Sequence, residues 1–402
     1  MNFFTLIYYK FMAFAVTWAM RLVPRPSSII FKGSNSALAL CEEVSILGFS
    51  RVHIVTDEFL SGSGILDGVK EVLTRTGVEF TVFNGIQPDP TFDQVQAGEA
   101  ALQEYGSEAI VAVGGGSVMD AAKMMALLHT NPGTLKSFDG IQKGKHPSLP
   151  LFAIPTTAGT GSEITFAAVI TDPISHKKTP VIDSKMIPGH IALDPEIMKG
   201  MPQGITAATG MDALTHAVES YLSKASTAST EQQAKAAIRM IFTYLTRAYH
   251  NGGDMEAREA MAMASFYAGS AFGRTSVGYV HGIAHQLGRV CNTPHGNANA
   301  MVLPEVLTAY GSCIDARMAD LARLVQVGET GDSDNVLAGL FIQGIIELRA
   351  EMELPLKPKG LTQTDIPDIV KEAQKETGNL YPVPRYMSAE EIRQIVTHLL
   401  PA

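Results

Sequence analysis

Cysteine is scarce: Cys41, Cys291 and Cys313 are the only three in 402 residues. Their odd number and wide spacing exclude a readable disulfide framework and fit a reducing, cytoplasmic compartment. An excess of positive charge is missing too. Lys and Arg total 31 against 40 Asp and Glu, a formal net charge of −9. A nucleic-acid partner is therefore not expected, because phosphate backbones require a basic face. The chain also lacks a long unbroken apolar run. Its most apolar stretch, residues 1–23, is interrupted by Lys10 and Arg21, short of the roughly 20 residues a membrane-spanning helix needs. A secretory signal would begin with basic residues and end at small ones, and this stretch does neither. The expectation for 1–26 is an extra helix packed on the body or on a neighbouring subunit. Peripheral membrane contact through residues 1–23 is the sharper alternative.

Hydrophobic residues make up 46% and charged residues 18%, enough to fill large cores. Single cores seldom grow past about 250–300 residues, so two domains are expected. From Ser27, short apolar runs over 29–31, 51–56, 80–83 and 109–113 alternate with helical patterns over 36–47, 64–75, 91–105 and 117–129. That alternation indicates a parallel α/β sheet. Further strands are expected over 150–154, 166–170 and 191–193. The rest reads helical: 205–223, 230–249, 254–272, 276–288, 298–310, 314–327, 334–353 and 389–399. The division expected is an α/β domain over 27–197 and an all-helical domain over 198–402.

The densest chemistry lies in Gly278-Tyr-Val-His-Gly-Ile-Ala-His-Gln-Leu-Gly288 and Thr293-Pro-His-Gly296, which hold His281, His285 and His295. Upstream, Asp212 and His216 are spaced by four, as are His281 and His285, so each pair shares one helix face. Imidazoles with a carboxylate suit a divalent transition metal. By spacing alone, scattered core histidines account for the pattern equally well.

Val113-Gly-Gly-Gly-Ser-Val-Met-Asp-Ala-Ala-Lys123 follows a strand and opens a helix. Glycines let backbone amides approach an anion, and the helix N-terminus favours negative charge, as a pyrophosphate requires. The stretch is neither Gly-x-Gly-x-x-Gly nor a Walker sequence, and a plain structural turn is the alternative. Asp57 ends a strand, where a carboxylate suits a ribose 2′-hydroxyl and repels a 2′-phosphate, favouring NAD over NADP. A helix N-cap is the other reading of Asp57.

Gly-Gly-Gly-Ser-Val-Met-Asp-Ala-Ala-Lys, Pro-Thr-Thr-Ala-Gly-Thr-Gly-Ser-Glu, Ala-Ala-Thr-Gly-Met-Asp-Ala-Leu-Thr-His and the histidine stretch together resemble the iron-containing (group III) alcohol dehydrogenases, from about Ser28 to the C-terminus. The resemblance implies an N-terminal α/β dinucleotide-binding domain and an all-α C-terminal domain, the dehydroquinate synthase-like architecture. It implies metal ligands at Asp212, His216, His281 and His295, with His285 outside the ligand set, near nicotinamide and substrate. It implies cofactor contacts at Asp57, Gly115, Gly116, Ser117, Asp120, Thr156, Thr157, Thr165, Lys178, Ile197 and Gly200. Pro88-Asp89-Pro90 departs from the commoner Pro-Asn-Pro, and Gly273-Arg-Thr-Ser276 and the N-terminal extension are departures as well.

The activity implied is reversible hydride transfer between a small primary alcohol or aldehyde and NAD, with Fe²⁺ as Lewis acid and His285 as proton relay. Ligand chemistry admits Zn²⁺, and the resemblance tips the choice to iron. A homodimer or larger assembly is expected. A hydroxyacid–oxoacid transhydrogenase and a glycerol dehydrogenase-like polyol oxidoreductase are the competing activities.

Overall fold

Strand β4 (Ala109–Gly114), with every residue buried, lies near the centre of a six-stranded sheet in which every pairing is parallel. The computed structural model describes residues 8–9, 11–12, 26–174 and 178–401. The chain divides into two compact units, one of residues 24–201 and one of 1–23 with 202–402.

In the first unit the sheet strands are β1 (Ile29–Lys32), β2 (Arg51–Asp57), β3 (Glu79–Ile86), β4, β6 (Leu151–Pro155) and β9 (His190–Leu193), in the order β1-β9-β6-β4-β2-β3. Leu40, Val44, Leu66, Val69 and Leu73 pack with Val52, Ile54, Val111, Val113, Phe152 and Ile154 into one core against the sheet. Each such buried side chain contributes about 1.5–3 kcal/mol. Helices enter with the expected caps: Thr91 and Gln94 form a capping box for Phe92–Tyr105, and Gly106 closes that helix in the left-handed region at φ 69°.

Two strands were not legible in the pattern. β5 (Gly140–Ile141) and β8 (Lys178–Ile182) join β7 (Ala167–Thr171) in a separate three-stranded sheet, ordered β5-β8-β7. Pro180 argues against a strand because it cannot donate to a ladder. β5 meets β8 only at Val181 and Ile182, so Pro180 lies outside that pairing.

The second unit is helical. The helix Gln203–Leu222 is buried at every position from Gly210 to Leu222, because Ala228–His250, Met255–Thr275 and His295–Tyr310 pack around it. Pro304 lies inside His295–Tyr310, where it removes a helical N–H donor. The carbonyl of Ala300, four residues earlier, accepts instead from Arg349 Nη1 at 3.4 Å. The helix Ile366–Leu380 is the one long helix the sequence pattern passes over. Its buried face holds Ala373, Thr377 and Gly378 beside Ile366, Ile369 and Val370, and these three small residues thin the apolar stripe.

The reading of residues 1–26 as a packed helix or membrane contact falls mostly outside the described residues. Tyr8, Tyr9, Phe11 and Met12 are helical, and the carbonyl of Tyr9 accepts from the Tyr386 hydroxyl at 3.1 Å. Among the described residues no helix is long and apolar enough to cross a membrane.

Candidate functional site

Three helices of the second unit bring four side chains together. Gln203–Leu222 carries Asp212 and His216 one turn apart, Tyr279–Cys291 carries His281, and His295 opens His295–Tyr310. One ligand atom from each lies within 4.8 Å of all the others. Asp212 Oδ1 is 3.4 Å from His295 Nε2 and 3.7 Å from His281 Nε2, and Asp212 Oδ2 is 3.9 Å from His216 Nδ1. Asp212, His216 and His281 are buried and His295 is exposed; imidazole nitrogens and a carboxylate oxygen converging without a thiolate are a donor set that fits a divalent transition metal.

The local sequence makes this approach possible. A Cβ on Gly296 would lie 2.2 Å from the carbonyl oxygen of Ala208, so only glycine beside His295 lets the two ligand helices touch. Ser276, at φ 62°, takes a left-handed conformation unusual outside glycine, and redirects the chain between the helix Met255–Thr275 and the His281 helix. This residue ends the 273–276 segment and opens the link between the two helices. Phe272 stacks on the His216 ring at 4.1 Å and 13°.

Burial raises the Asp212 carboxyl, but the charges of His216 and His295 and the hydrogen bonds from His281 and His295 outweigh it and hold it well below the usual range. Burial disfavours the charged form of His281, yet hydrogen bonds to Asp212 and Glu219 lift it to about 9. Both shifts mark a place whose field attracts positive charge.

Two supporting residues escaped the sequence reading. Asn299 Nδ2 donates to Asp212 Oδ1 at 2.7 Å and lies 3.2 Å from both His281 Nε2 and His295 Nε2. Glu219 Oε2 accepts from His281 Nδ1 at 2.6 Å. Spacing held a signal for each: Asn299 follows His295 by one turn, and Glu219 is an acid among Ala217, Val218 and Ser220 on a helix with no exposed face there.

His285 stands outside the four-residue group. Its ring stacks on His295 at 5.4 Å, and its Nδ1 donates to Glu376 Oε1 at 2.7 Å. Glu376 also accepts from the Tyr381 hydroxyl at 2.6 Å and from Gln286 Nε2 at 3.1 Å. Burial raises the Glu376 carboxyl, but His285 and Tyr381 bring it below its ordinary value. Glu376 was missed because its helix was missed.

In the first unit, β4 ends at Gly114 and Gly115 caps the helix Gly116–Thr130. The Thr156 N–H donates to the Gly114 carbonyl at 3.0 Å, so the loops after β4 and β6 run side by side at the carboxyl ends of their strands. A Cβ on Gly116 would lie 2.8 Å from the Thr160 side chain, and one on Gly115 would lie 3.3 Å from Thr157. Gly115, Gly116, Ser117, Thr156 and Thr157 thus gather around one long helix N-terminus, where a pyrophosphate fits.

Asp120 and Thr165 have protein partners. Asp120 accepts from Ser162 Oγ at 2.6 Å and from Val169 N at 2.9 Å. Lys123, fully buried, donates to Ser162 Oγ at 2.7 Å, Thr165 Oγ1 at 3.0 Å and the Ala167 carbonyl at 2.9 Å. Burial lowers Lys123 to about 8 and raises the neighbouring Glu163 to about 7, and it raises Asp120 as well. This polar cluster ties the β6 loop to the glycine-rich helix.

Asp57 is at the carboxyl end of β2 and caps Glu58–Gly62 by accepting from Leu60 N at 2.8 Å. Lys178 Nζ pairs with Asp89 Oδ1 at 2.6 Å, with both side chains exposed. Ile197 packs against the sheet core, and Gly200 faces open space.

Residues 26–195 match the model of the iron-containing alcohol dehydrogenases, and residues 206–400 match that of the Fe-containing alcohol dehydrogenase family, C-terminal. The chain is 36% identical over 377 residues to the NAD-dependent methanol dehydrogenase of Bacillus methanolicus, covering 93% of this chain and 98% of that one. It belongs to the iron-containing alcohol dehydrogenase family. The 1,3-propanediol dehydrogenase of Klebsiella pneumoniae is 37% identical over 378 residues, covering 93% of this chain and 97% of that one. A crystal structure of a 1,3-propanediol oxidoreductase superimposes with a TM-score of 0.91 at 36% identity, covering 94% of this chain and all of that one. This member of the iron-containing alcohol dehydrogenases is thus an NAD-dependent oxidoreductase of alcohols and aldehydes. Asp212, His216, His281 and His295 together are placed so that they could hold a metal ion.

Proposed function

We propose that this enzyme interconverts a small primary alcohol and its aldehyde with NAD, using Fe²⁺ at Asp212, His216, His281 and His295. The buried carboxylate with three converging imidazoles carries this reading. The ion supplies a Lewis acid for the alcohol or carbonyl oxygen, and NAD supplies the hydride acceptor or donor. Its similarity to a methanol dehydrogenase and a 1,3-propanediol dehydrogenase supports an unbranched primary alcohol or diol as substrate. The donor set admits Zn²⁺, and the family's iron tips the choice.

The chain's own residues divide the work. Gly115, Gly116 and Ser117 present backbone amides to the cofactor pyrophosphate, with Thr156 and Thr157 beside that loop and Thr165, Lys178, Ile197 and Gly200 as further contacts. Asp120 shapes the site through its bonds to Ser162 and Val169. Asp57 accepts from the ribose, which favours NAD over NADP. His285, held by Glu376 and half-exposed, moves the alcohol proton toward solvent. In this reading residues 27–197 bind NAD, 198–402 hold the metal, and 1–26 are an extension that adds an assembly or membrane-surface contact. The enzyme acts as a homodimer or larger assembly in the cytoplasm.

The test is anaerobic: metal-stripped protein, NAD and a panel of primary alcohols, with Fe²⁺ or Zn²⁺ restored, following NADH absorbance. NADH with Fe²⁺ is the expected result. Restoration by zinc alone overturns the iron assignment. No NADH with any alcohol or metal overturns the dehydrogenase reading in favour of a transhydrogenase.

A further inference from the structure

We infer that Glu219 is a positioning residue of the metal centre, holding His281 in the one tautomer that offers Nε2 to the ion. The inference rests on the metal reading above and adds to it a residue outside the ligand set. Its basis is geometric. Glu219 is buried on the same helix as Asp212 and His216, and its two oxygens are divided between two tasks. Oε1 accepts from the backbone N–H of Val280 at 2.8 Å, and Oε2 lies 2.6 Å from His281 Nδ1.

A carboxylate has no proton of its own to give, so the ring proton belongs on Nδ1. Nε2 faces Asp212 Oδ1 at 3.7 Å; an ion that displaces the proton on that side meets the Nε2 lone pair, while the Nδ1 proton stays in the bond to Glu219. The negative partner also makes the imidazole a stronger electron donor, as carboxylate–histidine–metal arrangements do. Space for the carboxylate is built into the backbone. A Cβ on Gly278 would sit 2.7 Å from Glu219 Oε1, so a side chain before the His281 helix would push the carboxylate aside. One carboxylate therefore fixes both the start of that helix and the rotation and tautomer of the ligand two residues into it.

A helix-capping role alone would need only Oε1. Glu219→Gln separates the two roles. Its amide oxygen can still accept from Val280, while its NH₂ then faces Nδ1, forces the proton onto Nε2 and blocks the lone pair. The experiment uses the full-length, metal-stripped protein with Co²⁺ as probe. It measures affinity by competition with a chelating dye, the visible d–d bands of the Co²⁺ protein, and the melting temperature before metal is added.

The expected result for Glu219→Gln is Co²⁺ affinity about 10–100-fold weaker with shifted d–d bands, and a metal-free melting temperature close to the wild type. Wild-type affinity with unshifted bands overturns the inference, and so does a lowered melting temperature with unshifted bands. Gly278→Ala, which displaces the carboxylate without removing it, is the second variant. If Glu219→Gln does not fold, Gly278→Ala decides: shifted bands support the inference and wild-type bands overturn it. Failure of the wild-type protein itself to bind Co²⁺ overturns the metal reading, a result distinct from failure of the Glu219 role.

Discussion

His285 and Glu376, on helices far apart in sequence, are joined at 2.7 Å through Nδ1 and Oε1, while the ring of His285 stacks on His295. The bond fixes the ring orientation and leaves Nε2 as the free end of a half-exposed imidazole. His285→Ala should lower kcat by about 10²–10⁴-fold while metal content, measured by elemental analysis, stays at the wild-type level. Glu376→Gln should give a smaller loss of the same kind. Metal lost together with activity would place His285 in the ligand set and refute the relay.

Removing a true ligand should do the opposite. His281→Ala or His216→Ala should lose metal and fall to background turnover. NAD affinity should stay within about twofold, because the glycine loop at Gly115 and Gly116 belongs to the other unit. Fluorescence titration with NADH beside metal analysis checks both halves.

Glu163 gives the first unit a pH signature. Its carboxyl is raised from 4.5 to about 7, chiefly by burial, with Lys123 opposing the shift. A raised acid binds its proton more tightly in the folded state, so its stabilisation is full below pH 4.5 and is lost as pH rises to about 7. Such a shift corresponds to up to about 3 kcal/mol. Lys123, lowered to about 8, acts in the reverse sense, and its contribution is present above pH 10.5 and lost as pH falls through about 8. Urea unfolding of Glu163→Gln between pH 4.5 and 7 should lack the decline seen in the wild type. Parallel curves for the two proteins would dismiss the effect.

Gly296→Ala places a methyl 2.2 Å from a backbone oxygen of the Asp212 helix, and neither helix can yield without moving a ligand. A cost of about 1–3 kcal/mol is expected, together with weaker metal retention. Thermal melts of metal-free protein isolate the packing effect. An unchanged melting temperature would show that the helices can separate freely there.

Much of this was readable before any coordinates, for identifiable reasons. Asp212/His216 and His281/His285 declare themselves because a four-residue spacing is a helix property, and the glycine loop because three glycines rarely precede a helix by chance. Spacing could not separate His285 from the ligands: it shares a face with His281, and only the third dimension hands its Nδ1 to Glu376. Glu219 and Asn299 carry no motif, and their roles arise from which helices touch. β8 was hidden by Pro180, and the helix Ile366–Leu380 by the small residues Ala373, Thr377 and Gly378 on its buried face. Asp57 turned out to cap a helix, one of the two roles its position at a strand end allows.

The metal ligands come from three helices that meet only when the second unit is folded. An ion that binds them has no comparable site on the unfolded chain, so it adds RT ln(1 + [M]/Kd), about 4.1 kcal/mol at a thousandfold excess over Kd. The lifetime of the protein in a cell is thereby linked to metal supply. If the site holds a metal as proposed, scarcity would leave the empty protein open more often and more exposed to proteases.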